Sequence, residues 1–216
     1  MPDTPAPSSL GDADPVDAAP LADAGLTPYH AIKLALPRLN GGGRHALVIG
    51  LGGLGQIAVQ ILTALTGATV IATDTKEEAM RAAEASGATT VPGGDAQADR
   101  ILELTGGQGV DAAFDFVGAS STIGLAASVM AKRSRLTVVG IANGTLQWSF
   151  FTTPYESTIT NTYWGTIEDL HEVVAMYRAG QIRPQVQRFP LDEALDAYRK
   201  LEAGEINGRA VVVPHA

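Results

Sequence analysis

The chain predicts an α/β fold, a doubly wound parallel sheet. Short apolar runs alternate with helix-length segments through the first two thirds of its 216 residues. Between the first run, Ala46 to Ile49, and a helical pattern lies a Gly50-x-Gly52-x-x-Gly55 turn, and Asp74 closes the next run nineteen positions after Gly55. Strands alternating with helices require right-handed crossovers, which cover both faces of a parallel sheet.

Residues 1–18, rich in Pro, Asp, Ser and Ala with no hydrophobic period, are expected to form a disordered tail. Thr27-Pro28 then reads as a cap and first-turn proline, opening a helix that Pro37 should stop. The glycine-loop strand spans 45–50, its helix 53–65 and the second strand 69–73. Thr75-Lys76-Glu77-Glu78 reads as a capping box opening a helix that ends near Gly87. A short strand at 89–91, a helix at 96–104, a strand at 110–116, a helix at 121–130 and a strand at 135–141 continue the alternation, with Lys132 to Arg135 as a solvated loop. Beyond these come strands at 146–151 and 158–163, a helix at 167–179, a strand at 186–189, a helix at 192–203 and a last strand at 209–213. The organisation expected is a tail (1–18), a dinucleotide-binding domain (19–180) and a strand-helix-strand segment (181–216).

The glycine spacing has a chemical meaning. Gly50 permits a sharp turn, Gly52 lets backbone N–H groups approach a pyrophosphate, and Gly55 lets the helix pack close to the strand. Gly53 and Leu54 complete a loop whose helix N-terminus offers unpaired N–H groups to phosphate. Asp74 would accept hydrogen bonds from the adenine ribose, which favours NAD(H), since a 2′-phosphate would meet its charge. The pattern is that of a Rossmann fold.

Composition narrows the alternatives. A net charge of −8 argues against nucleic acid and anionic membrane as partners. No apolar run is long enough to cross a bilayer, and the want of a signal peptide points to the cytoplasm. With no cysteine, thiol catalysis, disulfides and Cys-ligated zinc are excluded for these residues.

Six ordered motifs resemble the zinc-dependent alcohol dehydrogenases of the medium-chain dehydrogenase/reductase superfamily, especially their bacterial NAD-dependent secondary-alcohol branch. They are Asp23 to Tyr29, Val48 to Gly55, Asp115 to Gly118, Val138 to Ile141, Tyr163 to Thr166 and Gly208 to Pro214. The resemblance implies that Thr27 packs against the nicotinamide, that Val117, Gly140, Ile141 and Trp164 line the cofactor groove, and that Arg209 reaches the pyrophosphate. For Val117, Ile141 and Trp164 core packing is the alternative, and for Arg209 a surface ion pair. The resemblance also implies a catalytic domain ahead of the dinucleotide-binding one, and fewer than fifty residues precede the glycine loop. The segment after residue 180 is therefore expected to be a remnant of that absent domain, its strands pairing with each other, covered by the N-terminal segment or meeting a second chain. Asp23 matches a family zinc-ligand position, but one carboxylate cannot hold a catalytic zinc, so a zinc-free site is expected. A homodimer through the 146–151 edge strand follows from the same resemblance.

Three functions stay open. The first is a zinc-independent, NAD-dependent oxidoreductase acting on a small alcohol or carbonyl, with Tyr29, His30, Tyr155 and Tyr163 as candidate acids. The others are a non-catalytic NAD-binding module and a non-redox enzyme performing a cyclisation or elimination on the same scaffold.

Overall fold

The computed structural model describes residues 10–214. After helix α1 (Pro15–Ala18) and a 3-10 turn (Ala19–Ala22), the long helix α2 (Leu26–Leu39) leads into strand β1 (His45–Ile49). Helix α3 (Gly55–Leu65), β2 (Thr69–Thr73), α4 (Glu77–Ala85), β3 (Thr89–Thr90), α5 (Gln97–Leu104), β4 (Val110–Asp115), α6 (Ser120–Ser128), β5 (Met130–Val138) and β6 (Thr158–Asn161) follow. The chain then runs through α7 (Ile167–Arg178), β7 (Val186–Pro190), α8 (Ala194–Glu202) and β8 (Arg209–Val213).

Six parallel strands form one sheet in the order β3-β2-β1-β4-β5-β6. The order reverses direction between β1 and β4, the place where open α/β sheets bind ligands beyond their C-terminal strand ends. Alternation along β1 explains the two cores. Ala46 and Val48 join Ile32, Ala35 and Leu39 of α2 and Ile57 and Ile61 of α3. Leu47 and Ile49 join Ile71, Ile101, Ile123 and Leu136 on the other face. Ile49 pairs with Thr73 on one side and Asp115 on the other, so Gly50, Asp74 and Phe116 follow neighbouring strand ends.

The last two strands pair with each other as a small parallel sheet, with Phe189 opposite Val212. Arg188 of β7 bridges Asp14 at 2.8 Å and Asp17 at 2.6 Å, which draws the N-terminal segment against it.

Several sequence expectations need correction. Residues 10–18 of the expected disordered tail are folded: Asp14 caps α1 through the Val16 N–H, and Ala18 is buried; residues 1–9 lie outside the described residues. Thr27 is not a cap, because Gly25 already has helical angles and α2 starts at Leu26. Pro37 lies inside α2, in its last turn, where its missing N–H forgoes one bond near the helix end. No capping box forms at Thr75, because Asp74 takes the Lys76 N–H at 2.9 Å and Lys76 becomes the cap. Lys132 to Arg135 belong to β5 instead of a loop, and Ser134 is buried. The 146–151 segment forms no strand; the position beside β5 is taken by β6, with Leu136 opposite Ile159, and the 146–151 run stays irregular with Trp148, Phe150 and Phe151 exposed.

Candidate functional site

At the C-terminal end of β1 the chain turns through Gly50 at φ +85°, where an added Cβ would stand 2.6 Å from the Val117 side chain. A Cβ on Gly55 would fall 1.8 Å from the Gly50 carbonyl oxygen, so helix and turn meet at a distance only glycine allows. Gly52 faces open space. Helix α3 has Leu54 as its cap and no side chain bonding its first N–H groups; the Gln56 N–H donates to the Gly52 carbonyl at 3.1 Å, and the neighbouring donors face the loop, where an anion can meet them.

Asp74 closes β2 beside this loop. One carboxylate oxygen accepts the Leu51 N–H at 2.6 Å and the other the Lys76 N–H at 2.9 Å, fixing the carboxylate between loop and helix α4. It borders a cavity of about 740 Å³ lined also by Gly50, Thr75, Gln97, Val117 and Leu125. A carboxylate has about four lone-pair sites, so two backbone bonds leave acceptor capacity for ribose hydroxyls.

The rim continues through a residue that the sequence reading did not single out. Asp115, fully buried, accepts the N–H groups of Val117 and Gly118 at 2.9 and 3.0 Å and the Thr122 hydroxyl at 2.8 Å. These bonds hold the 117–118 turn against Gly140, whose own Cβ would strike the Val117 backbone at 2.1 Å. The signal available was a carboxylate ending an apolar strand, where burial demands such donors.

The far end of the rim is aromatic and open. Ile141, Tyr163 and Trp164 follow the ends of the adjacent strands β5 and β6 and are 82, 71 and 53% exposed. The Tyr163 and Trp164 rings lie 4.6 Å apart, and Trp164 is held at φ +56°, costly for a bulky residue. Gly165 beside it abuts Leu26 and His30 of α2, which brings the start of that helix to the same end. There Thr27 is buried with its hydroxyl oxygen unpaired, an acceptor and donor that no described side chain satisfies.

Tyr29 and His30 are committed elsewhere. The Tyr29 hydroxyl donates to Glu172 at 2.7 Å, His30 Nδ1 lies 2.6 Å from Asp169, and Lys33 bonds Asp169 at 2.9 Å and also Glu172. Asp169, its side chain 4% exposed, also accepts the Thr166 N–H and so binds the start of α7 to α2. Burial works to raise its pKa, but bonds from Lys33, Thr166 and His30 prevail and hold it at about 2. Burial, then the bond to Glu172, pushes the Tyr29 hydroxyl up to about 12, where it is a poor proton donor at neutral pH. Lys33 is raised by the same carboxylates. Tyr155 precedes β6, at the sheet end opposite the glycine loop, with Lys132 over its ring at 5.9 Å. Of the four candidate acids, Tyr163 alone sits exposed at the rim.

Arg209 begins β8, and its Cδ lies where a Cβ on Gly53 would come within 2.3 Å, so its stem crosses the glycine loop. Its guanidinium is ion-paired with Asp23 at 2.5 Å. Among the described residues no three His, Asp or Glu side chains are grouped to hold a metal, so Asp23 has no co-ligands there. The donor set does not fit a zinc ion. The glycine cradle, Asp74 and the orphaned Thr27 hydroxyl do fit a dinucleotide.

Residues 53–179 match the family model described as zinc-binding dehydrogenase. The NAD-dependent alcohol dehydrogenase of Sulfurisphaera tokodaii is 33% identical over 204 residues, covering 92% of this chain and 58% of the relative. The D-arabinose 1-dehydrogenase (NADP(+)) of Saccharolobus solfataricus is 31% identical over 208 residues, covering 95 and 60% respectively. The crystal structure of the alcohol dehydrogenase of Aeropyrum pernix superposes with a TM-score of 0.86 at 38% identity, covering 94% of this chain and 60% of that one. The chain thus spans about three-fifths of the length of the relatives it matches.

Proposed function

This chain belongs to the zinc-binding dehydrogenase family, and we propose that it binds NAD(H) along the C-terminal edge of its sheet and serves a hydride transfer of alcohol-dehydrogenase type on a small alcohol or carbonyl. The observation that carries the reading is Asp74, fixed by two backbone N–H groups beside an open glycine loop. In this reading Gly50 to Gly55 admit the pyrophosphate, Arg209 bonds it, and Asp74 accepts the ribose hydroxyls and disfavours a 2′-phosphate. Thr27 offers its hydroxyl to the carboxamide end, while Val117, Gly140, Ile141 and Trp164 exclude water there. The nicotinamide, when bound, supplies the hydride acceptor or donor.

Turnover without zinc, and membership of the secondary-alcohol branch, belong to the same proposal. A second reading, a binding module without turnover of its own, is favoured by one observation. Tyr29 and His30 are spent on the α2–α7 network and Tyr155 faces the other sheet end, so this chain brings one candidate acid to the rim. The homodimer is also proposed, with its edge moved from 146–151 to β6, flanked by exposed Trp148, Phe150 and Tyr155. An open strand edge beside apolar rings suits isologous pairing.

NADH binding measured by fluorescence transfer tests the first step; no binding at millimolar NADH sinks the proposal. Oxidation of bound NADH by a ketone panel, with and without chelator, separates the two readings: chelator-insensitive turnover supports the zinc-free enzyme, and none at all supports the binding module.

A further inference from the structure

We infer that Asp23 is an internal competitor for Arg209, its carboxylate occupying the guanidinium as a cofactor phosphate would and so setting the affinity for dinucleotide. The inference rests on the reading of Arg209 as a pyrophosphate-binding residue and of Asp23 as a carboxylate that holds no zinc.

The geometry begins with the arginine stem. Its Cγ and Cδ run over Gly53, at 3.1 and 2.3 Å from where a Cβ would stand, so the guanidinium is delivered to the glycine loop by its own backbone position at the start of β8. Arg209 Nη2 donates to Asp23 Oδ2 at 2.5 Å, a charge-assisted bond of the kind a phosphate oxygen would accept. Asp23 lies between the 3-10 turn and α2, and its carbonyl accepts the Thr27 N–H at 2.9 Å. The backbone is thereby fixed while the carboxylate faces the arginine.

Two properties make this pair exchangeable. The side chains are 36 and 46% exposed, and a pair so open to water contributes little to stability. A pyrophosphate at the loop would bring two negative groups onto the same fork, together with the N–H donors of α3, and so outbid one carboxylate. Before the cofactor binds, Arg209 is held near its working position and its charge is neutralised. Binding then requires the exchange of one anion for another, and the free energy of the internal pair is subtracted from the affinity.

Asp23→Asn keeps the size and removes the charge. It is expected to lower the NADH Kd about threefold to fivefold, the scale of one partly exposed ion pair. Arg209→Ala is expected to raise the Kd, and in that background Asp23→Asn is expected to change nothing, because the effect passes through the arginine. Asp23→Ser provides a second charge-removing variant, and circular dichroism melting checks that each variant folds. An unchanged or raised Kd in both folded Asp23 variants overturns the inference. Equal tightening with and without Arg209 also overturns it, since simple repulsion between Asp23 and phosphate would then explain the result. NADH binding by the wild type that ignores Asp23 leaves the proposed function standing, whereas no binding by any form overturns both.

Discussion

Around Asp74 the rim of the sheet consists of backbone N–H groups and one carboxylate from neighbouring turns, whereas around Trp164 it consists of exposed rings beside polar side chains already bonded to one another. The first region is local: Leu51, Asp74 and Lys76 meet because β1 and β2 are adjacent and in register. The second is assembled across the chain, with Tyr29, His30 and Lys33 of α2 meeting Asp169 and Glu172 of α7 from some 140 positions away (His30 to Asp169, |i−j| of 139). One end leaves backbone donors and carboxylate acceptor sites open to a cavity. The other holds two helices together and leaves the open surface to aromatic groups.

If that contrast is right, the largest stability loss lies in the helix-bridging network. Asp169→Ala removes the shared acceptor of His30, Lys33 and the Thr166 N–H, Lys33 keeping Glu172, and is expected to cost about 2–4 kcal/mol in urea unfolding, the scale of leaving several donors of one network unmet. A loss under 1 kcal/mol would show the network to be ornamental. Its pH dependence has a definite sign. Asp169 titrates at about 2 in the folded protein against an ordinary 3.8, so its contribution is complete above pH 4 and fades as pH falls from 4 toward 2. Asp169→Asn should flatten that part of the stability profile, and an unchanged slope would contradict the assignment.

Gly55→Ala tests the glycine loop next. Its Cβ would meet the Gly50 carbonyl, so a destabilisation of about 2–3 kcal/mol is expected by thermal melting, with loss of NADH binding. Retained affinity would mean the loop can relax without harm. Asp74→Ala should weaken NADH binding by about 1–3 kcal/mol in calorimetry, the scale of leaving buried hydrogen-bond groups unmet. No change would place the ribose elsewhere. Tyr29→Phe should be the mildest, with about 1 kcal/mol of stability lost and NADH affinity unaltered. A selective loss of ketone turnover in that variant would return Tyr29 to the catalytic candidates.

Legibility followed the range of the interactions. The glycine loop, the parallel sheet and the helices flanking it were readable because each depends on periodicity and turn chemistry within a few residues. The 146–151 run has strand composition yet no strand, because composition does not say which segment pairs, and β6 pairs beside β5 in its stead. Tyr29 and His30 read as candidate acids since sequence proximity to Thr27 says nothing about what α7 presents to them. Asp115 was legible only as the first residue of the Asp115 to Gly118 motif, and its three donors needed the fold.

By itself the sequence determined the doubly wound sheet, the glycine turn and the carboxylate nineteen residues beyond it, because steric freedom at glycine and side-chain alternation act locally. The tertiary structure decided which charges are free. Asp23 and Arg209 lie 186 positions apart, and only the packing of β8 against the N-terminal segment pairs them. The same holds for Asp169, whose chemistry is set by a lysine and a histidine on another helix. Charge compensation is a matter of distance in space, which a linear pattern does not contain.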